Sequence, residues 1–181
     1  DEEEAFAPLG VYGQSKAAGD IAVANCPRHY ILRSSWVIGE GHNFVKTMMM
    51  LSNRVADPGD GLNEVTVVDD QYGRLTFTSD MADAIFHLLD SGAGYGTYDL
   101  TGSGRVESWA GIAKAVFDLT NGNGDRVRPI STEEYFRNAK APVSPRPTYS
   151  ALDLSKIEAT GLGVPDWEES LKAYVTKELK K

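Results

Sequence analysis

Tyr12 and Lys16 stand four residues apart in the stretch VYGQSKAAGD, residues 11 to 20. On a helix, side chains at i and i+4 share one face, so the phenol and the ammonium can converge on one point. A cation beside a phenol favours the tyrosinate and lowers a pKa that otherwise sits near ~10. A tyrosine so placed can hand a proton to a carbonyl oxygen while hydride reaches the carbon, the transfer that a nicotinamide cofactor performs. The spacing is common by chance, and a surface Tyr and Lys stacked along a helix is its competing reading. The rest of the chain must decide between the two.

Strands and helices take turns along the sequence. Helical patterning from about Val11 to Asn25 precedes RHYILRSSWVIG, whose β-branched and aromatic residues suit a buried strand ending near Ser35. A helix is expected from about Asn43 to Asn53, a turn cluster at ADPGDGLNE, and a short strand at VTVVDD. TFTSDMADAIFHLLDSG reads as an extended piece entering a helix, with Ser79 or Asp80 as N-cap and Gly92 as the stop. TYDLTG and VRPIS follow as strands, ESWAGIAKAVFDLTNG and TEEYFRNA as helices, and Cys26 as a small buried hydrophobe. The tail holds helical LDLSKIEATG and PDWEESLKAYVTKELKK, with Pro165 in a first turn, after a proline-punctuated loop KAPVSPRPTYS. Strands separated by helices predict an α/β fold with a parallel sheet and crossover connections.

At 181 residues with 41% hydrophobic content, the chain is long enough for a sizeable core. Its net charge of −8 argues against a nucleic-acid partner, although local Lys or Arg groups could hold a phosphorylated small molecule. One cysteine allows no internal disulfide and fits a reducing compartment. With an acidic start and no apolar run of membrane-spanning length, the expected setting is cytoplasmic, with no membrane partner. His29, His42 and His87 lack ligand spacing, and DPGDG lacks the alternating oxygens of a calcium loop, so no protein-built metal site is expected.

PLGVYGQSKAAGD, RSSWVIGEGHNFVKTMM, VVDDQYGRLTFTSDMADAI, YDLTGSGRVESWAGIAKAVF, PISTEEYFRNAKAPVSPRPTYSALDLSKIEATG and PDWEESLKAYV occur in that order. Together they resemble the dTDP-4-dehydrorhamnose reductases of the extended short-chain dehydrogenase/reductase superfamily, from about Pro8 to the C-terminus. The resemblance implies the C-terminal part of a Rossmann-type parallel sheet plus a small α/β substrate-binding lobe. Residues 1–181 would form a single partial domain, the catalytic helix and last Rossmann strands interleaved with the lobe. It also implies NADP(H)-dependent reduction of the C4 ketone of dTDP-4-dehydro-L-rhamnose to dTDP-L-rhamnose, a precursor of cell-surface polysaccharide. Tyr12 would give the proton, and Lys16 would also hydrogen-bond the nicotinamide ribose, which places both residues in the cofactor site.

Further roles follow from the resemblance one motif at a time. Arg33, Ser34, Ser35 and Trp36 match a strand-end R-[ST]-[ST]-W, and strand carboxyl ends are where α/β proteins bind ligands. Trp36 would offer its flat indole as a wall to the sugar, with plain core packing as the alternative. Asn43, Phe44 and Lys46 match N-F-V-K, where a helix N-terminus and an amide suit a diphosphate; an ordinary N-cap is the rival reading of Asn43. Asp70, Gln71 and Thr76 match D-D-Q-x-G-x-P-T beneath the nucleotide, with Leu75 in place of the proline, which puts the stiffness of that turn in question. Arg146 and Pro147 match an R-P loop, and Arg146 could clamp phosphate bidentately or stand solvated.

The chain contains no G-x-x-G-x-x-G after a first strand, and TGSGRVES is a weak substitute. By itself it is expected to bind NADP(H) poorly and to be inactive, its first partner being the N-terminal half of the same enzyme. A homodimer and assistance by Mg²⁺ stay open. Two rivals remain: another nucleotide-sugar epimerase or dehydratase of the superfamily, and a non-catalytic regulatory subunit resembling that of methionine adenosyltransferase.

Overall fold

Asn43 and Ser108 each start a helix by turning a side-chain oxygen onto the backbone, Asn43 Oδ1 accepting from Lys46 N and Ser108 Oγ from Gly111 N, both at 3.0 Å. The computed structural model describes residues 1–140 and 143–181; within the proline-punctuated loop, Ala141 and Pro142 lie outside the described residues. The chain runs α1 (Val11–Ala24), β1 (Tyr30–Arg33), β2 (Val37–Ile38), α2 (Phe44–Ala56), β3 (Val65–Val68), β4 (Tyr72–Gly73), β5 (Thr76–Phe77) and α3 (Thr78–Asp90). It continues through β6 (Gly96–Asp99), β7 (Glu107–Ser108), α4 (Trp109–Asn121), a 3₁₀ turn (Gly124–Arg126), β8 (Val127–Ile130), α5 (Thr132–Phe136), α6 (Ser155–Glu158) and α7 (Trp167–Glu178).

The expected α/β alternation is present, and its strands pair far along the chain. β1 lies parallel to β6, β2 to β5 and β3 to β8, while β4 and β7 are antiparallel. Parallel partners need a crossover, and the helices supply it. Instead of one continuous sheet, the described strands form two-stranded pairs.

Two apolar clusters hold these pairs. In the first, α2, α4 and α7 close over β3, β5 and β8 through Val45, Met48, Ile112, Val116, Phe117, Trp167 and Leu171. In the second, Ala84 and Leu88 of α3 meet Tyr98 and Leu100 at β6, with Leu154 and Ile157 beneath. α1 belongs to neither cluster: none of its residues is buried, and its link to β1 is the Arg33–Asp20 ion pair at 2.8 Å.

Local expectations fail where packing overrides short-range signals. Cys26 is exposed, since it follows a helix that buries nothing. The N-cap of α3 is Phe77, not Ser79 or Asp80; buried β5 runs straight into the helix, leaving both polar residues in the first turn. There Asp80 suits the positive helix end and accepts from Ser170 Oγ at 3.0 Å. Gly92 does follow the end of α3, with φ +69. Pro165 lies before the N-cap Asp166, outside the first turn, because its carbonyl is engaged by Ser103 N at 2.8 Å. The helix expected in LDLSKIEATG shrinks to Ser155–Glu158.

Asp99, only 2% exposed, has an Oδ1 with no hydrogen-bond partner. Burial first, then Glu2, pushes its carboxyl above the usual range, outweighing the opposing pull of the N-terminus and Arg33. An acid raised in the folded state costs stability once pH exceeds its unfolded value of ~3.9, and the cost grows until pH passes the folded value. Asp99→Asn should therefore raise the thermal midpoint at pH 7, with the gain shrinking toward pH 4. Midpoints measured across that range check this; a variant less stable at pH 7 would contradict it.

Candidate functional site

The exposed face of α1 carries Tyr12 and Lys16. Their i, i+4 spacing puts both on one side of the helix. Tyr12 is 72% exposed, and among the described residues its hydroxyl has no hydrogen-bond partner and Lys16 no ion pair. The helix starts at Gly10, where extended backbone enters without a side-chain cap. A Cβ on Gly10 would stand 3.2 Å from Ser144 Oγ. The segment that carries Arg146 therefore abuts the first turn of this helix.

That segment ties the site together. Tyr72 N donates to Thr148 O at 2.8 Å, and Ser150 N donates to Tyr72 O at 2.7 Å, so the loop runs beside the D-D-Q stretch. Ser35 Oγ donates to Ser150 O at 2.7 Å, joining the same loop to the residue before Trp36. Three sequence-distant stretches meet here: the start of α1, Ser35 in the bend between β1 and β2, two residues past the end of β1, and Tyr72. Arg146 itself is exposed and, among the described residues, has no ion-pair partner.

Trp36 is the one non-glycine residue with positive φ, +49°, among the described residues, a conformation costing of order 1–3 kcal/mol that its surroundings must impose. Its indole stacks on Trp109 with centroids 3.8 Å apart and planes 19° apart, and Phe44 leans on Trp109 at 4.5 Å. A Cβ on Gly73 would meet three adjacent atoms of the Trp36 benzo ring at 2.9–3.0 Å, with no Trp109 atom as close. Gly73 thus covers the ring face opposite Trp109. The flat wall expected of Trp36 is already occupied on both sides, and what the residue presents outward is its edge. Trp109 was not singled out from sequence because a tryptophan opening an amphipathic helix reads as core.

The remaining residues divide between ligand-ready and engaged groups. Asn43 is the cap of α2, and its Nδ2 donates to Gly39 O at 2.8 Å, Tyr174 Oη at 2.9 Å and Gly41 O at 3.3 Å. Its amide is therefore engaged inside the protein, and its Oδ1 already takes Lys46 N, one of the amides at the start of α2. Lys46 pairs with Glu178 at 3.3 Å. Gln71 Nε2 donates to Thr132 Oγ1 at 2.9 Å, and Thr132 donates through its backbone N and Oγ1 to Asp70. Those bonds, the hydroxyl's foremost, hold the Asp70 carboxyl below the usual range. Thr132 was not marked in the sequence; as the first residue of a short helix it carries no local signal. Leu75, in the proline position, is fully buried; its carbonyl accepts from Gly102 N at 3.0 Å while Thr76 Oγ1 donates to Ser35 O at 2.6 Å. Packing and these bonds supply the stiffness a proline would bring.

Open clefts of about 260 Å³, lined by Phe6, Asp20, Ile21 and Arg33, and about 320 Å³, lined by Arg74, Ser103, Asp153 and Glu158, contain none of the residues above. No cluster of three His, Cys, Asp or Glu side chains suited to a metal occurs among the described residues, and no helix of the structure is long and apolar enough to cross a membrane.

Comparison with known proteins adds an independent line. The family described as RmlD substrate binding domain matches residues 1–180. A dTDP-4-dehydrorhamnose reductase of Sinorhizobium fredii is 41% identical over 186 residues, covering 96% of this chain and 58% of its own length. One of Mycolicibacterium smegmatis is 35% identical, covering 93% of this chain and 49% of its own length. The solved dTDP-4-dehydrorhamnose reductase of Clostridium acetobutylicum superposes with a TM-score of 0.84 at 35% identity, over 99% of this chain and 59% of that one. The Bacillus anthracis reductase, solved in complex with NADP, gives 0.80 at 34%, over 98% and 58%. The chain thus spans about half the length of the curated relatives it matches. A dTDP-glucose 4,6-dehydratase and a UDP-galactose 4-epimerase, at 17% and 19% identity, share the fold alone.

Proposed function

The chain belongs to the RmlD substrate binding domain family, and from that premise we propose that it is the substrate-binding and proton-donating part of an NADPH-dependent reductase acting on the C4 ketone of dTDP-4-dehydro-L-rhamnose. One observation carries the reading. The exposed Tyr12–Lys16 face begins where the Arg146 segment, itself bonded to Tyr72 and Ser35, packs against Gly10. A nucleotide-sugar held on that segment would present its ketone to Tyr12.

When bound, NADPH supplies the hydride that reaches C4. Its nicotinamide end fits the residues present, since the Tyr12 hydroxyl and the Lys16 ammonium project from one exposed helix face. Among the described residues no glycine-rich turn between a strand and a helix offers a cradle for its diphosphate, so that end needs the other half of the enzyme. Tyr12 Oη gives its proton to the ketone oxygen, which becomes the C4 hydroxyl, and Lys16 stabilises the tyrosinate left behind. In this reading Arg146, exposed on its loop, and Asn43 at the start of α2 meet the sugar diphosphate. Trp36 contributes the indole edge, Gln71 and Lys46 supporting polar contacts.

The same proposal includes one partial domain over residues 1–181, action in the cytoplasm, and an N-terminal half as obligatory partner; dimer formation and Mg²⁺ are not part of it. Catalysis is favoured over a regulatory-subunit role because Tyr12 and Lys16 are both kept and both exposed. An epimerase or dehydratase role rests on fold likeness only.

The test joins this chain to a dinucleotide-binding half, that of the S. fredii relative serving as donor, and follows NADPH absorbance. Oxidation that depends on dTDP-4-dehydro-L-rhamnose is the expected result. Oxidation absent with that sugar, or C4 epimerisation of a UDP-hexose in its place, would overturn the assignment.

A further inference from the structure

Trp36 is held through both its backbone and its ring by one turn of the chain. Thr76, only 1% exposed, donates through its backbone N to Trp36 O at 3.1 Å and through Oγ1 to Ser35 O at 2.6 Å, which pins the carbonyls on either side of the Trp36 Cα. These bonds hold the left-handed backbone, φ +49°, that a tryptophan otherwise avoids. Gly73, in the same turn, covers one face of the indole, and Trp109 stacks on the other at 3.8 Å.

Gly73 does not take a positive φ, so backbone conformation does not call for a glycine there; the ring does. A Cβ at this position would stand 2.9–3.0 Å from three ring atoms, well inside the ~3.5–4.0 Å at which carbon atoms pack. The bare Cα therefore sets how far the indole lies from Trp109. With both faces covered, what remains is the ring edge, and an aromatic edge is electropositive where the face is negative. The indole Nε1–H adds a donor to that edge. Among the described residues it has no acceptor, and it is not sealed off either, since the buried side-chain nitrogen and oxygen atoms left without a partner are Arg74 Nε and Asp99 Oδ1. Trp167 is the contrast, its Nε1 engaged by Arg105 O at 2.8 Å. A ring face suits the C–H groups of a sugar; this edge suits an oxygen.

We propose that Gly73 is a positioning residue: by leaving room for the Trp36 indole to lie flat against Trp109, it turns the Nε1–H edge toward an oxygen of the sugar in the nucleotide-sugar. This rests on the function proposed above. Discrimination at Trp36 then falls on the sugar and not on the dTDP that carries it.

The experiment uses the joined two-half enzyme and compares Kd for dTDP with Kd for dTDP-L-rhamnose, a ratio that isolates the sugar. Trp36→Phe keeps a ring between Gly73 and Trp109 and removes the N–H. It should shrink the ratio about three- to tenfold, the worth of one such hydrogen bond, and raise KM for the 4-keto sugar equally, with KM for NADPH unchanged. Gly73→Ala should do the same by displacing the indole, and should alter the exciton couplet of the Trp36–Trp109 stack in circular dichroism. In the Trp36→Phe background it should add nothing, because Gly73 acts through the indole. A purely structural Gly73 would lower the thermal midpoint and leave the ratio at its parental value; that pattern, or losses that add in the double variant, overturns the inference. Should Gly73→Ala not fold, Trp109→Phe thins the support from the other face, and a parental ratio there counts against the proposal equally. If the parent reduces no 4-keto sugar, the functional reading fails, yet tighter binding of dTDP-L-rhamnose than of dTDP, with the ratio falling in both single variants, still supports the positioning role. A parent that binds the two alike refutes it.

Discussion

Tyr12→Phe, made in the enzyme with both halves present, should lower kcat by ~10²–10⁴, the usual contribution of one positioned acid–base group. The effect is expected to be chemical and not structural. Tyr12 is 72% exposed on a helix that buries no residue, and its hydroxyl holds nothing else among the described residues. Removing that oxygen leaves α1 intact and, on the proposed reading, deletes the proton that must reach the ketone oxygen as hydride arrives. Thermal unfolding should match the parent within about 2 °C, the shift of a change well below 1 kcal/mol. Lys16→Met should also lower turnover and in addition weaken NADPH, since in the proposed reading the ammonium serves tyrosinate and ribose together. A Phe variant with near-normal kcat would mean that another group donates the proton, and the site would have to be rebuilt around it.

The second large effect concerns the fold. Trp167→Ala should destabilise the chain by about 3–5 kcal/mol, the range for emptying a buried aromatic site. Trp167 is fully buried, its Nε1 donates to Arg105 O at 2.8 Å, and Arg105 lies over the ring at 5.8 Å. Its own backbone is in close contact with Gly102: a Cβ there would sit 2.7 Å from both Trp167 Cβ and Leu75 O. Relaxation into the cavity is therefore blocked on that side, which favours the upper part of the range. Against a total stability of about 5–15 kcal/mol, the variant would be partly unfolded near body temperature. Thermal unfolding by circular dichroism checks this, with Trp167→Phe as the intermediate case that keeps a ring but loses the N–H. A loss below about 1 kcal/mol would show that Trp167 does not organise this core.

Much of the architecture was legible because it is written locally. Asn43 before an apolar periodic run marks a helix start, and Gly92 marks a helix end and takes the left-handed conformation that other residues avoid. The i, i+4 relation of Tyr12 and Lys16 depends on one helix alone, so the candidate proton relay could be read before any fold was known. Errors arose where a neighbour distant in sequence decided the outcome. Phe77 displaced Ser79 and Asp80 as the cap because β5 is buried against β2, and Cys26 stayed exposed because the helix it follows buries no residue.

Sequence by itself therefore determined the alternation of strands and helices, the spacing of Tyr12 and Lys16 and the family of motifs, all properties of contiguous residues. Only the tertiary structure decided how Trp36 is used, since its ring faces are taken by Gly73 and Trp109, which lie 37 and 73 positions further along the chain. It also decided that Asn43 is engaged by Tyr174, that Asp70 and Gln71 converge on Thr132, and that the Arg146 segment reaches Gly10. The physical reason is common to these cases. A side chain's remaining hydrogen-bond capacity and free surface are what is left after packing, and packing partners separated by tens of residues leave no periodic trace in either local stretch.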